Sequence, residues 1–326
     1  MFTRLLVPLD RSSLAEQALG RAAAIARASH AEIELFMVHE PLPLVEFGGT
    51  PWDGTTFADD ERYLETIAHE LADGSIVSVG HSVVRGVPAD AICERARAVG
   101  ADLVVMTSHG RTGLSRAWIG SVADAVVRRS GIPVLMLRPI EGAPGRRAAH
   151  HLFKKILVPV DGSATALAVL PAAAALARCS DAHVVLVRVV EPVPVVPIDS
   201  DMGIGYSAMV PDREATRRLV DDATAHLAAV GRSFGEMEKL VVETQVVVNN
   251  VARGILDFAA AHEVDAIAMT THGRGVTRLL LGSIADKILR AGGLPVMLKR
   301  PVDASDDVTE LASEPEALTV PTVAPA

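Results

Sequence analysis

The chain has 326 residues, enough for two domains of ordinary size that each close their own core. It is 49% hydrophobic but only 3% aromatic, with a net charge of −9. Six acidic residues and no basic ones fall in 301–326, so the body before that tail carries only −3, which excludes the basic stripe and stacking platform of a nucleic-acid binder.

The first half alternates strand and helix patterns. Residues 5–9 form an apolar run, and an Ala-rich helix follows over 13–29, with Ser13 to Glu16 read as a capping box. A strand is expected at 33–38, a Pro/Gly-rich stretch at 41–56, and a helix at 59–73. Next come a strand at 76–84, a helix at 89–99, a buried strand at 103–106 and a Gly-containing loop at 107–119. A helix at 121–129 and a strand at 134–137 complete the half. Strict alternation of strand and helix predicts a parallel sheet with right-handed crossovers.

The second half repeats this order, with strands expected at 156–160, 184–190, 240–248, 266–269 and 296–299 and a long loop at 192–211. Leu6-Val7-Pro8-Leu9-Asp10 returns as Leu157-Val158-Pro159-Val160-Asp161, and Met106-Thr107-Ser108-His109-Gly110 as Met269-Thr270-Thr271-His272-Gly273. Gly120-Ser121 returns as Gly282-Ser283. A Val-x-Glu-Pro occurs in each half, Val38 to Pro41 and Val189 to Pro192. A period near 150 residues is too long for a solenoid and marks a duplicated domain. The expected organisation is a domain at 1–138, a linker at 139–152, a second domain at 153–300 and a disordered acidic tail at 301–326.

Cys93 and Cys179 have no Cys-x-x-Cys or Cys/His metal spacing, so they are expected to be buried, reduced thiols of a cytoplasmic protein. The apolar run before Asp10 is too short for the core of a signal peptide, and the longest uncharged stretch, 162–177, is too short to span a membrane. The expectation is a soluble cytoplasmic protein with small-molecule or protein partners.

In a doubly wound sheet, ligands sit beyond the carboxyl ends of the strands. Two segments per half reach such an end: the Asp closing the first strand, Asp10 or Asp161, and the loop after the fourth strand that leads into a helix at Gly120-Ser121 or Gly282-Ser283. Glycines let backbone N–H groups approach an anion, and a helix N-terminus adds unpaired donors and a favourable dipole. The Asp suits a ribose hydroxyl or an amine. The plainer alternative is structural: Ser121 with Asp124, and Ser283 with Asp286, are Ser-x-x-Asp pairs able to cap a helix, and Asp10 and Asp161 are placed to satisfy the helix that follows.

The ordered set Val-Pro-Val-Asp-Gly-Ser (158–163), Val-x-Glu-Pro, Thr-His-Gly-Arg-Gly (271–275) and Leu-Leu-Gly-Ser (280–283) resembles the universal stress protein family, here as a tandem member. The resemblance covers about 2–138 and 153–300. It implies an α/β, Rossmann-like fold in each half, five parallel strands in the order 3-2-1-4-5 with helices on both faces. It also implies stress-responsive cytoplasmic proteins that pair through their last strands, many of which bind ATP.

ATP-binding members carry G-x2-G-x9-G-[S/T] after the fourth strand. On the first half this places Thr107 at the first Gly and His109 within the motif; Gly110 matches, nine residues follow, and Gly120-Ser121 closes it. On the second half Thr270 takes the first Gly position, and only eight residues separate Gly273 from Gly282-Ser283. The resemblance further assigns Asp10 and Asp161 to the adenosine end, Val38 and Val189 to the backbone beside the adenine, and Gly86 or Asn249 to a small-residue position. Asp161-Gly162-Ser163 fits the family pattern, whereas the first half has Asp10-Arg11-Ser12. A Thr in place of Gly is expected to put a Cβ near the phosphates and to restrict φ.

The reading is therefore a tandem protein that binds ATP, with or without Mg2+, better in its first half, and acts as a stress-responsive regulator with at most slow ATP hydrolysis. The halves are expected to pair internally, with further homodimerisation open, and protein partners are expected but unidentified. No nucleic-acid or membrane partner is expected. The competing reading is a stress scaffold that binds no nucleotide.

Overall fold

The computed structural model describes residues 1–39, 56–73, 78–109, 119–140, 142, 152–195, 210–271, 281–291 and 293–301. All of the tail expected at 301–326 except Pro301, and the stretches 40–55 and 110–118, lie outside these residues. Strands and helices alternate as β1 (Arg4–Leu9), α1 (Ser13–Ser29), β2 (Glu32–His39), α2 (Phe57–Ala72), β3 (Val79–Arg85), α3 (Pro88–Ala98), β4 (Leu103–Thr107), α4 (Ser121–Arg129) and β5 (Val134–Leu137). The second half opens with β6 (Lys155–Pro159), the short α5 (Ala164–Leu167), α6 (Leu170–Ser180) and β7 (His183–Val190). A two-residue pair, β8 (Pro194–Val195) and β9 (Val210–Pro211), precedes α7 (Arg213–Glu238). Then come β10 (Val242–Val248), α8 (Val251–Ala261), β11 (Ala266–Thr270), α9 (Ser283–Ala291) and β12 (Val296–Lys299).

Ten strands form one sheet, in the order β10-β7-β6-β11-β12-β5-β4-β1-β2-β3. Every neighbouring pair is parallel except β5 and β12, which run antiparallel through Val296–Met136, Met297–Leu135 and Leu298–Val134. The apolar runs look continuous because both faces are covered, yet they still sort by alternation. Leu5, Val7, Ile33, Leu35, Val105 and Leu135 point to the layer of α1, α2, α6 and α7. Leu6, Phe36, Val104, Met106 and Met136 point to the layer of α3, α4, α8 and α9. Each layer is one apolar cluster running across both halves.

The seam is also braced outside the sheet. Arg21 of α1 stacks over the Phe153 ring at 4.5 Å, and burial lowers the Arg21 guanidinium from its ordinary value while Asp265 opposes the shift. The Lys299 ammonium donates to the Gly131 carbonyl, and burial pushes Lys299 below its usual range. The first residues of the expected linker are held to α1: Gln17 Nε2 donates to Ile140 O, and Ile140 N donates to Gln17 Oε1, both at 2.8 Å.

Three local expectations need correction. The N-cap of α1 is Ser12, not Ser13: Ser12 Oγ accepts from Ala15 N at 3.0 Å, and Glu16 instead takes the Tyr63 hydroxyl at 2.7 Å. Only Ser13 makes a Ser-x-x-Glu box, but either Ser is a good N-cap, and the turn at Asp10 decides which one caps. β10 begins at Val242, later than expected, because apolar Leu240 and Val241 precede the strand and the apolarity does not mark its register; β3 runs from Val79, and 76–77 of its expected start lie outside the described residues. The 192–211 stretch, read as a loop, contains β8 and β9.

Cys93 and Cys179 are both free and buried, and desolvation raises both thiols above the ordinary value of 9.0. Ellman's reagent is therefore expected to titrate neither thiol in the native protein on the minute scale and both after unfolding in guanidinium. Prompt native reaction would show that the α3 or α6 packing opens.

Candidate functional site

The β1 strand ends at Leu9, and Asp10 turns the chain into α1. Asp10 Oδ1 accepts from Ser12 N at 3.0 Å and from Ser12 Oγ at 2.6 Å, and Asp161 Oδ1 does the same with Ser163, at 2.9 and 2.5 Å. In both halves the residue between the Asp and the Ser is left-handed. The second half supplies Gly162 at φ 83°, but the first half forces Arg11 to φ 66°. The expectation that the two Asp residues serve the following helix thus holds in part: each orders the capping Ser rather than capping the helix itself.

The fourth-strand loops end alike. Gly120 N donates to Ser108 O at 2.7 Å, and Gly282 N donates to Thr271 O at 2.8 Å. A Cβ on Gly120 would lie 3.1 Å from that Ser108 oxygen, so this closure favours glycine. Gly120 is also the N-cap of α4, and no side chain caps that helix. This overturns the capping role expected for Ser121 and Asp124: Ser121 is the first helical residue, and Asp124 pairs with Arg128 one turn on. Asp286 likewise pairs with Arg290. The amides of Ser121, Val122 and Ala123 therefore open α4 without a side-chain acceptor.

Thr107 sits differently from the expectation for a Thr at a Gly position. It is the last residue of β4, it is not among the residues with positive φ, and its hydroxyl donates to His109 O at 2.7 Å. The side chain ties down the start of the loop. His109 is buried, with Nδ1 at 3.0 Å from Ser108 Oγ.

These elements surround a pocket of about 250 Å³ at the carboxyl end of the first-half strands. Asp10, Val38, Thr107, His109, Gly120 and Ser121 all line it. Gly86 does not line it; it sits at the β3–α3 turn with φ 153°. Gly110 and Gly273, together with His272 and Arg111, Arg116, Arg274 and Arg278, lie outside the described residues. Asp161, Val189, Gly282 and Ser283 occupy the corresponding strand and helix ends of the second half. The apolar walls from Phe36, Pro88, Ile92 and Met106 were not singled out by the sequence; Phe36, a lone aromatic in an aliphatic strand, was the available signal. Among the described residues no three His, Cys, Asp or Glu side chains gather to hold a metal ion, and no helix is long and apolar enough to cross a membrane.

Beside the pocket lies a cluster that sequence reasoning also missed. Asp60 of α2 has a side chain only 2% exposed; His39 Nδ1 lies 2.7 Å from its Oδ2 and Arg11 Nε 2.7 Å from its Oδ1. The Arg11 approach is a charge contact without hydrogen-bond alignment, since neither atom makes an aligned hydrogen bond. Arg11 also stands 5.5 Å from the Tyr63 ring centre. Arg11 follows pocket-lining Asp10 and His39 follows pocket-lining Val38, so Asp60 fastens α2 to both strand ends. The signal was the mismatch of Arg11 with Gly162. Asp60→Ala is expected to cost roughly 3 kcal/mol, because it strands two partly buried partners. Arg11→Gly should cost less, since glycine relieves about 1 kcal/mol of left-handed strain. Urea denaturation ranks the two variants, and a larger loss for Arg11→Gly would contradict this balance.

The universal stress protein family model matches residues 1–138 and 152–300. Universal stress protein Rv2005c of Mycobacterium tuberculosis is 27% identical over 270 residues, 80% of this chain and 82% of that protein. Universal stress protein MJ0531 of Methanocaldococcus jannaschii is 31% identical over 144 residues, 42% of this chain and 83% of its own length. A universal stress protein structure from Archaeoglobus fulgidus superposes with a TM-score of 0.67 at 19% identity, covering 92% of this chain and 98% of that one, which establishes the shared fold. With the motifs in order in both halves and the fold matched along the chain, this protein belongs to the universal stress protein family, as a tandem member with two family repeats.

Proposed function

We propose that the first half binds an adenine nucleotide, ATP above all, and that the protein is a cytoplasmic, nucleotide-responsive regulator of the stress response rather than an efficient enzyme. The observation that carries this reading is α4 opening into the pocket with no side-chain cap. Gly120 N is already used by Ser108 O, so the amides of Ser121, Val122 and Ala123 remain to receive an anion, assisted by the helix dipole. Gly120 itself keeps the approach tight: a Cβ would crowd the Ser108 carbonyl. Phe36, Ile92 and Met106 offer an apolar bed for a flat ring, and Asp10 supplies a carboxylate for ribose hydroxyls.

The pocket volume of about 250 Å³ is near the lower end of ordinary small-molecule sites, about 300 Å³, and suits a nucleoside with its phosphates directed to α4. Mg2+ would enter with the phosphates. His109 has its Nδ1 beside Ser108 Oγ and serves to position the loop rather than to exchange protons. Nucleotide binding would hold α4 and the β1 turn together and shift the population that protein partners meet. The scaffold reading leaned on Thr107, Thr270 and the eight-residue spacing of the second half; of these, Thr107 ends β4 without a positive φ, which answers the backbone part of that argument.

Calorimetric titration with Mg-ATP is expected to show binding in the micromolar range, about −8 kcal/mol. Asp10→Ala and Gly120→Val should each weaken it at least about tenfold, a loss near 1.4 kcal/mol. Absence of binding in the wild type would favour the scaffold reading, and binding that survives both changes would move the site out of the first half.

A further inference from the structure

The halves differ at one contact between the third-strand turn and the helix that follows it. In the first half, Gly86 stands in that turn, and a Cβ built there would meet only the Ala91 Cβ, at 4.0 Å. In the second half the pair is exchanged: Asn249 takes the place of Gly86 and Gly254 that of Ala91, each five residues apart. The face of Gly254 is not open space. A Cβ there would lie 2.9 Å from Val189 Cγ1, 3.2 Å from Val189 Cγ2 and 3.1 Å from Asn249 Cβ. The side-chain volume has moved across the contact, and the first turn of α8 has come down onto the end of β7.

Val189 is the counterpart of Val38. In the first half Val38 lines the pocket together with Pro88 and Ile92, so the space there lies between the end of β2 and the opening of α3. In the second half the same interval leaves no room for even a Cβ between Gly254 and Val189. A second contact spans the mouth: Asn250 Nδ2 at the start of α8 donates to Glu191 Oε1 just after β7, at 3.1 Å. Asn249 Nδ2 donates to Asp257 Oδ2 at 3.4 Å, which fixes the new side chain against the helix. An aromatic base needs roughly 3.5 Å of clear thickness between its neighbours.

We propose that α8 closes the second-half crevice to the base that the first half admits, with Asn249 and Gly254 as the determinants and the Asn250–Glu191 bond as a latch. The chain then takes one adenine nucleotide, in its first half, although Asp161, Gly282 and Ser283 persist in the second. This rests on the nucleotide reading above for its ligand but not for its geometry.

Equilibrium dialysis with ATP should give one nucleotide per wild-type chain, lost in Asp10→Ala and kept in Asp161→Ala. The double variant Asn249→Gly with Gly254→Ala, which restores the first-half pairing, should bind a second nucleotide that Asp161→Ala removes. Two nucleotides per wild-type chain, or a folded double variant that still binds one, overturns the proposal. A ligand-free test stands beside it: because both native cysteines are buried, Val38→Cys and Val189→Cys can be compared by maleimide labelling. Val38→Cys should react at least about tenfold faster. Equal rates overturn the closure whatever ATP does; unequal rates with no ATP bound by any variant support the closure and sink only the nucleotide reading.

Discussion

The antiparallel pairing of β5 with β12 is the constraint on which the rest of the molecule depends. Each half alone would leave its last strand as an open edge with unpaired backbone groups, an invitation to association. Joining the two last strands removes both edges and makes one ten-stranded sheet. Because the join is antiparallel and all other pairs are parallel, the strands of the two halves point in opposite directions. The carboxyl ends of the first-half strands, where the pocket lies, and those of the second half therefore face opposite ends of the sheet. The same helix layers continue across the seam, with α1 beside α6 on one face. The two crevices share a core but no wall.

Such an arrangement lets the halves diverge independently, and they have. At the β1 turn the second half keeps the relaxed Gly162, whereas the first carries a left-handed Arg11 and spends the side chain on Asp60. That carboxylate also meets His39, so one buried charge sets the position of α2 against two strand ends that border the pocket. At the β3 turn the asymmetry is reversed: the first half is the relaxed one, with Gly86, and the second has exchanged Gly for Asn and repacked α8. Each half has tightened a different edge of its crevice. The first braces its outer wall and leaves the space between β2 and α3; the second brings helix and strand together there.

Much of this was legible in the sequence. Alternation of aliphatic runs with Ala-rich helices gave the class, and the repeated segments placed the ten strands of the large sheet within a few residues. Helix limits such as Ser13–Ser29 and Ser121–Arg129 were readable because Ser residues and charged termini mark them. Register was less legible where apolar residues precede a strand, as at Leu240, or where two adjacent serines compete for one cap, as at Ser12 and Ser13. The candidate pocket was legible in part through Asp10, Thr107 and Gly120, which lie at strand and helix ends and line it. What was hidden is pairwise: the Asp60–Arg11 contact joins residues 49 apart in sequence, and the Gly254–Val189 contact joins residues 65 apart. No local pattern announces such pairs. A departure from internal symmetry does, and Arg11 against Gly162 and Asn249 against Gly86 were both visible as mismatches before their physical meaning was.

The central claim is that a nucleotide is held between the β1 turn and the uncapped start of α4. Amide hydrogen exchange with and without Mg-ATP tests it most directly, because exchange reports backbone N–H groups one segment at a time. The account predicts that ATP slows exchange in peptides covering residues 10–12 and 120–124, and leaves 282–286 unchanged. Protection confined to 282–286, or none in either region at saturating ATP, would contradict it.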